Sequence, residues 1–407
     1  MFDINTIKKD FKMFENYPDL VYLDNAATTF KPNQVIKAVT NYYENYCVNI
    51  HRGDYDVSQK VSEMFDETRD VVKRFINANN SNEIVFTSGA SESLNLVAYG
   101  YGKKVLKEND IVLTTEAEHS SNILPWFKVC EETKSIIKYI PLNDDGSFNL
   151  DNFKKVMNED VKIVTIANVT NVLGYILPLK EIVEIAHKYN AIVVCDGAQS
   201  VPHIKTDVID TDVDFLAFSS HKLLGPTGAG VLYGKYHLLD YMDTFMLGGG
   251  SNLRYDTCGN ILLKNPPLKF ESGTPAIEAI LGMKVAIEYI ENLGIDNISK
   301  YEDELHKYMI TKLKQLDNII IYNENGDTGI VSFNVKDIFA QDVGAYLNKY
   351  NIAVRSGNHC AKILMDILKI QYTVRASLYF YNTYEDIDRF VDALSKITIE
   401  ECIDIVV

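Results

Sequence analysis

The chain has 407 residues, 46% hydrophobic and 24% charged, which is enough apolar material for a large core and two domains. Its formal net charge of −16 works against a nucleic-acid groove, which needs a basic face, and against an anionic membrane surface. No apolar run approaches the length of a membrane span, and the residues from Met1 to Tyr17 contain no apolar segment of signal-peptide type, so a cytoplasmic protein is expected. Cysteines at 47, 130, 195, 258, 360 and 402 lack CxxC pairing or zinc-finger spacing and predict neither a disulfide framework nor a metal site.

In chain order, Ile7, Phe11 and Phe14 fall at helical spacing and predict a short amphipathic helix docked on the rest of the molecule. From about residue 20 to 235, short apolar runs at 84–87, 111–114, 163–167, 191–195 and 215–218 alternate with longer amphipathic stretches. Runs that are apolar on successive positions suit strands buried on both faces, and predict a mainly parallel sheet wrapped by helices. Residues 248–267 are rich in Gly, Asn and Pro around the run 261–263, and read as a loop or an irregular hairpin bridging two domains. Beyond it, 276–293 and 301–316 are helical in period, 329–335 is strand-like, another helix follows, and 353–355 is again extended. The last helix, 383–397, opens with Thr383 and Asp386 in a capping pattern. The fold class is therefore α/β: a large, mainly parallel-sheet domain over 21–265, and a smaller α+β domain formed by 1–20 together with 266–407.

Ligands of parallel α/β sheets collect at the carboxyl ends of the strands. The run 191–195 ends in Asp196-Gly-Ala-Gln199, where an acid by itself as readily caps the next helix. The run 214–218 ends in Ser219-Ser-His221-Lys222-Leu-Leu-Gly225-Pro-Thr-Gly-Ala-Gly230. A lone Lys after a strand is normally a solvated end, but this one is enclosed by Ser, His and a glycine-rich turn, with Asp196 upstream on a neighbouring strand. Pyridoxal phosphate requires those types, a lysine for the Schiff base and a carboxylate to keep the pyridine nitrogen protonated. Phe86-Thr-Ser-Gly89-Ala90-Ser91 supplies a strand, a tight turn and a helix start whose free N–H groups suit a phosphate, although Ser and Glu also simply cap helices. His119 offers a flat imidazole to stack on a cofactor ring, or a hydrogen-bonded structural role. Asn171 can bond the ring oxygen or a substrate carboxylate, or just shape a turn.

Taken together, Asp196-Gly-Ala-Gln, Ser219-Ser-His-Lys-Leu-Leu-Gly-Pro-Thr-Gly and Phe270-Glu-Ser-Gly-Thr274-Pro resemble the class V aminotransferase family, fold type I of the pyridoxal phosphate enzymes. His119-Ser-Ser-Asn-Ile-Leu-Pro-Trp126, Ile50-His-Arg-Gly53, Val354-Arg355-Ser-Gly-Asn-His359-Cys360-Ala and Arg375-Ala-Ser-Leu-Tyr-Phe-Tyr-Asn382 narrow the resemblance to the group II (SufS-type) cysteine desulfurases, over nearly the whole chain. The resemblance implies that Lys222 is the Schiff-base lysine, Asp196 the pyridinium partner, Gln199 the ligand of the ring hydroxyl, and His119 the stacked group that helps move protons. It implies that Ala90, Ser91, Ser219 and His221 hold the phosphate, and that Thr274 reaches the phosphate of a neighbouring subunit in a homodimer. Arg375 would bind the substrate carboxylate as a bidentate fork, with Asn171 assisting, and Cys360 would be the sulfur-accepting nucleophile, flanked by Arg355 and His359.

The implied activity converts L-cysteine to L-alanine with a persulfide on Cys360, passed to a SufE-like or SufU-like acceptor for iron–sulfur cluster assembly, with a cluster scaffold as a further partner. The commonest fate of a cysteine is a buried inert thiol, but the polar, potentially cationic surround of Cys360 favours thiolate. Asn358 stands where the family frequently has a second His, and Lys362-Ile363 where Gln or Met and then Pro are usual. Selenocysteine lyase, cysteine or cystine C–S lyase and kynureninase-like hydrolase are the alternatives within the fold. An idle sulfur-transfer scaffold is the alternative outside catalysis, and the joint presence of Lys222, Asp196, His119, Arg375 and Cys360 argues against it.

Overall fold

The computed structural model describes residues 3–406, and only the backbone of 403–406. A seven-stranded sheet organises the first two thirds of the chain, in the spatial order Ile84–Thr87, Gly230–Gly234, Phe215–Ser219, Ile192–Asp196, Val161–Ala167, Ile111–Thr115, Ile136–Ile140. Neighbours pair in parallel except around Gly230–Gly234, which runs antiparallel to both strands beside it. Ile84–Thr87, Ile111–Thr115, Phe215–Ser219 and Gly230–Gly234 are buried at every position, as two covered faces require.

Two of these strands have no counterpart among the runs expected from sequence. Ile136–Ile140 lies at the sheet edge and alternates exposed with half-buried positions, with Lys138 inside it, so it lacks the continuous apolar signature. Gly230–Gly234 is bounded by glycines that ordinarily signal turns. There Gly230 is required by close approach, since a Cβ would meet the Gly89 Cα at 2.4 Å.

The remainder folds around a four-stranded antiparallel sheet, ordered Ile319–Ile321, Ile330–Val335, Thr373–Ser377, Arg355–Gly357. Its own apolar cluster gathers Phe333, Val374, Leu347 and Phe390 and takes in Val21 and Leu23 from near the N-terminus. Val21–Tyr22 pairs in parallel with Ile352–Ala353, and Asp24 bridges to Ser377. Asn252–Tyr255 and Ile261–Leu263 form the irregular hairpin, antiparallel with a register shift at Leu262/Leu263.

The N-terminal helix is a correction. Two short helices, Ile4–Lys8 and Lys12–Asn16, replace the single one expected, because Asp10 between them turns its carbonyl to the Asn33 N–H at 2.6 Å and its carboxylate to Tyr289 Oη at 2.8 Å. Phe11 still packs inward, against Tyr289, Phe380 and Tyr381. The helix expected over 301–316 begins earlier, as Ile295–Leu313, with Gly294 at φ 82 as its joint to Ile277–Leu293. The final helix, Tyr384–Ser395, carries the capping box of Thr383 and Asp386.

Candidate active site

The parallel register sets Ala167 level with Asp196 and Asp196 level with Ala217, so three strand ends open onto one place. A cavity of about 190 Å³ lies there, lined by Lys222, Asp196, Gln199, His119, Ala90, Ser91, Ser219, His221, Asn171, Arg355 and Arg375 among others. These residues come from separate strand ends and from the antiparallel sheet.

Asp196 accepts the Ala198 N–H at 2.9 Å. Burial raises its carboxyl above the usual range, while that hydrogen bond and the Lys222 charge pull it back. Lys222 is lowered to about 8 by burial, against the opposing pull of Asp196. His119 is lowered to about 4 by burial, helped by the cations Lys222, Arg375 and Arg355, so its ring is neutral near pH 7. His221 is lowered to about 4 for the same first reason, with Lys222 and Lys31 adding to it.

The phosphate-suited turn is closed by the Ala90 N–H, which donates to Ser219 Oγ at 2.8 Å, and Ser91 Oγ meets Ser121 Oγ at 2.7 Å. Gln199 Nε2 donates to the Ala26 carbonyl at 2.8 Å, which leaves its Oε1 without a partner. Asn171 Nδ2 donates to the His359 carbonyl at 2.8 Å, and its Oδ1 is likewise unpartnered.

Arg375 is buried, 1% exposed, and donates through Nη1 to the Asn171 carbonyl at 2.8 Å and through Nη2 to Asp24 at 3.4 Å. Burial lowers its guanidinium to about 10, and its Nε has no partner. Arg355 is its direct cross-strand neighbour. Like charges placed opposite each other repel, so this pair is arranged for an anion between or beside them.

Cys360 is exposed and adjoins this site through its backbone, its carbonyl accepting the Ser120 N–H at 2.7 Å next to His119. Its position lets its charge bear on both Lys222 and Arg375. His359 and Cys360 are consecutive left-handed residues, φ 50 and 57, which costs backbone energy. Thr274 is not brought to this cavity; it is exposed and accepts Asn49 Nδ2 at 3.2 Å.

The sequence reading missed Asp24, the Ala26 carbonyl and Ser121, and treated His359 only as a flank of Cys360. His359 lines the cavity, its Nε2 facing Thr373 Oγ1 at 2.9 Å, and is lowered to about 3, first by burial. Asp24 belongs to the stretch Leu23-Asp-Asn-Ala-Ala27, but nothing local marks it, because its contact with Arg375 depends on the bridge to Ser377. Among the described residues, no group of three or more His, Cys, Asp or Glu is placed to hold a metal ion, and no helix is long and apolar enough to cross a membrane.

The class-V aminotransferase family model matches residues 21–390. The chain belongs to that family, whose large sheet and smaller domain are those of the fold type I pyridoxal phosphate enzymes. A probable cysteine desulfurase of Halalkalibacterium halodurans is 43% identical over 96% of this chain and 97% of its own. The apo structure of a cysteine desulfurase from Thermococcus onnurineus NA1 superposes with a TM-score of 0.93 at 36% identity, covering 97% of this chain and 98% of its own. The crystal structure of the cysteine desulfurase CsdA (S-sulfonic acid) from Escherichia coli superposes with a TM-score of 0.91 at 30% identity over 99% of each chain. Within the family, the chain groups with the cysteine desulfurases.

The residues present fit pyridoxal phosphate. Gln199 Oε1 and Asn171 Oδ1 are buried acceptors and Arg375 Nε a buried donor without protein partners, which in a folded interior are left for a ligand. A lysine lowered to about 8 beside a buried carboxylate supplies the amine and the counter-charge that this cofactor needs.

Proposed function

We propose that this chain is a pyridoxal-phosphate-dependent cysteine desulfurase that converts L-cysteine to L-alanine, takes the sulfur as a persulfide on Cys360, and passes it to an acceptor protein for iron–sulfur cluster assembly. When bound, the cofactor supplies an electron sink for negative charge at a substrate Cα. Lys222 would anchor it, Asp196 would hold its ring nitrogen protonated, Gln199 Oε1 and Asn171 Oδ1 would accept from its ring hydroxyl, and His119 would stack on it. Ala90, Ser91, Ser219 and His221 would hold its phosphate, with Thr274 supplied from a second subunit of a homodimer.

Arg375 fixes the substrate carboxylate, assisted by Asn171 and Arg355, and so orients the bonds at Cα. Lys222 Nζ moves the Cα proton, and the neutral His119 ring holds a proton at Nε2, since its Nδ1 accepts the Ser121 N–H at 3.1 Å. Cys360 Sγ takes the substrate sulfur, so that cysteine and the enzyme thiol become alanine and the enzyme persulfide. A persulfide is reactive and reversible, so an acceptor or reductant must clear it before the next turnover; a SufE-like or SufU-like protein is the partner proposed.

The observation that carries this reading is Cys360 itself. It is exposed, held on two left-handed residues, and tied by its carbonyl to the turn bearing His119, beside a cavity that contains Lys222 and Arg375. The six cysteines are all free, which suits the reducing cytoplasm. We assign residues 21–265 to the cofactor-binding unit and 1–20 with 266–407 to the smaller one; the separate apolar cluster around the antiparallel sheet supports the smaller unit from Leu305 onward, whereas Ile7, Phe11, Ile277 and Ile287 pack in the larger cluster.

The test is alanine formation from cysteine by the holoenzyme, with mass spectrometry of the protein after one turnover. Parental enzyme gains one sulfur atom on Cys360, and Cys360→Ser gains none and forms alanine no faster than background. If Cys360→Ser still releases alanine or sulfide at the parental rate, desulfuration through Cys360 is wrong, and sulfide accompanied by pyruvate in place of alanine would mark a C–S lyase.

A further inference from the structure

Glu118 stands behind the cavity wall, 3% exposed, on the loop that follows the Ile111–Thr115 strand. One carboxyl oxygen accepts Thr115 Oγ1 at 2.7 Å and the other accepts Asn122 Nδ2 at 2.8 Å. Asn122 Oδ1 accepts Thr165 Oγ1 at 2.7 Å, and Thr165 accepts Trp126 Nε1 at 3.1 Å. An indole nitrogen only donates, so the Thr165 hydroxyl proton is free to face the Asn122 carbonyl, and the Asn122 amide protons then face Glu118. Every donor in this relay points toward the one residue that accepts at both ends. Asn122 and Thr165 are completely buried and Trp126 is 1% exposed, so water does not substitute for any link.

Asn122 lies on the same turn as His119. Its N–H donates to the His119 carbonyl at 2.8 Å, while the Ser120 N–H reaches the Cys360 carbonyl at 2.7 Å. The turn therefore joins the imidazole, the cysteine loop and the Glu118 relay. Burial, with the nearby charge of Asp196 adding to it, raises Glu118 to about 7, although the Thr115 and Asn122 hydrogen bonds oppose the rise. A residue that only filled space would avoid burying a second carboxyl near Asp196. What the carboxyl alone supplies is acceptance on both oxygens.

We propose that Glu118 is a positioning residue of this site: through Asn122 it fixes the turn that presents His119 to the cavity and ties that turn to Cys360. The inference rests on the reading of His119 as a cofactor-facing group, and it concerns a residue that touches neither cofactor nor substrate.

The test uses holoenzyme carrying Glu118→Ala, Glu118→Gln, Asn122→Ala or the double alanine change, with kcat, KM for L-cysteine, visible circular dichroism of the bound cofactor and melting temperature measured for each. Each single alanine variant should lose about thirtyfold in kcat with KM within about threefold, and the double variant should be no worse than the poorer single one. Gln retains an acceptor for Asn122 and should recover at least about tenfold of the loss in Glu118→Ala. The cofactor dichroism should weaken in the alanine variants and return with Gln.

Losses that multiply in the double variant, a Gln no better than Ala, or a dichroism that does not move would each overturn the proposal. If Glu118→Ala melts below the assay temperature, Gln against Asn122→Ala decides by the same kcat and dichroism criteria. A Lys222→Ala protein that kept the parental cofactor band would instead overturn the reading of the site, so the two failures are distinguishable.

Discussion

Lys222 sits in surroundings that oppose its own charge: burial lowers it to about 8, Asp196 pulls it back up, and Arg375 and Arg355 push it down further. Only the neutral amine attacks an aldehyde, and a lysine at its ordinary value of 10.5 would be almost wholly protonated at pH 8. The rate at which apoprotein takes up pyridoxal phosphate, followed by absorbance after rapid mixing, should therefore rise with pH and level off just above 8. A rate that keeps climbing toward 10 would show the amine to be unperturbed. Arg375 makes a sharper demand, for geometry rather than protonation. Its guanidinium is held by the Asn171 carbonyl and Asp24, which a lysine cannot match as a planar fork. Arg375→Lys should raise KM for L-cysteine by about 10-fold to 100-fold, in line with losing a bidentate charge-assisted contact, and leave the cofactor absorbance in place.

At the scale of elements, what was legible in the sequence follows burial. The runs at 84–87, 111–114, 163–167, 191–195 and 215–218 became strands because they are apolar at successive positions and covered on both faces. Ile136–Ile140 and Thr373–Ser377 were not legible, the first because its edge exposes alternate residues, the second because it buries Arg375 and two hydroxyls among its five residues. Lys222 and Asp196 could be read because their chemistry is local to a strand end. Asp24 could not, because its place beside Arg375 comes from pairing between distant segments.

The bidentate pair of Arg69 and Glu271 belongs to the same category. Glu271 accepts both guanidinium nitrogens at 2.8 Å and also the Phe86 N–H at 2.8 Å, while Arg69 donates to the Ile84 carbonyl at 2.6 Å. It joins the Asp56–Phe75 helix to the strand leading into Gly89 and to the segment that carries Thr274. Glu271→Ala leaves a buried guanidinium and a backbone N–H unpaired, and should cost about 3 to 5 kcal/mol in denaturant unfolding. A loss below about 1 kcal/mol, the value of an exposed pair, would show that the Ala90 turn does not depend on it.

For the whole molecule, the hairpin of Asn252–Tyr255 and Ile261–Leu263 raises the question of what covers it. Leu253, Tyr255, Ile261 and Leu262 are 63%, 73%, 53% and 59% exposed, and among the described residues the hairpin pairs with no third strand. A two-stranded ribbon is marginal in water, and an apolar one exposed in this way needs a partner surface. In the proposed homodimer a second copy supplies it, and a twofold axis lets one patch serve both chains. Each chain carries a formal charge of −16, so long-range electrostatics oppose the pairing and apolar burial must drive it. Sedimentation equilibrium should accordingly show the dimer tightening as salt screens that repulsion. Replacing Leu253 and Leu262 together by Lys should give a monomer that keeps its helical circular dichroism but binds pyridoxal phosphate about tenfold more weakly, because the second subunit's Thr274 is lost from the phosphate site. A monomeric double variant with parental cofactor affinity would show the site to be complete within one chain.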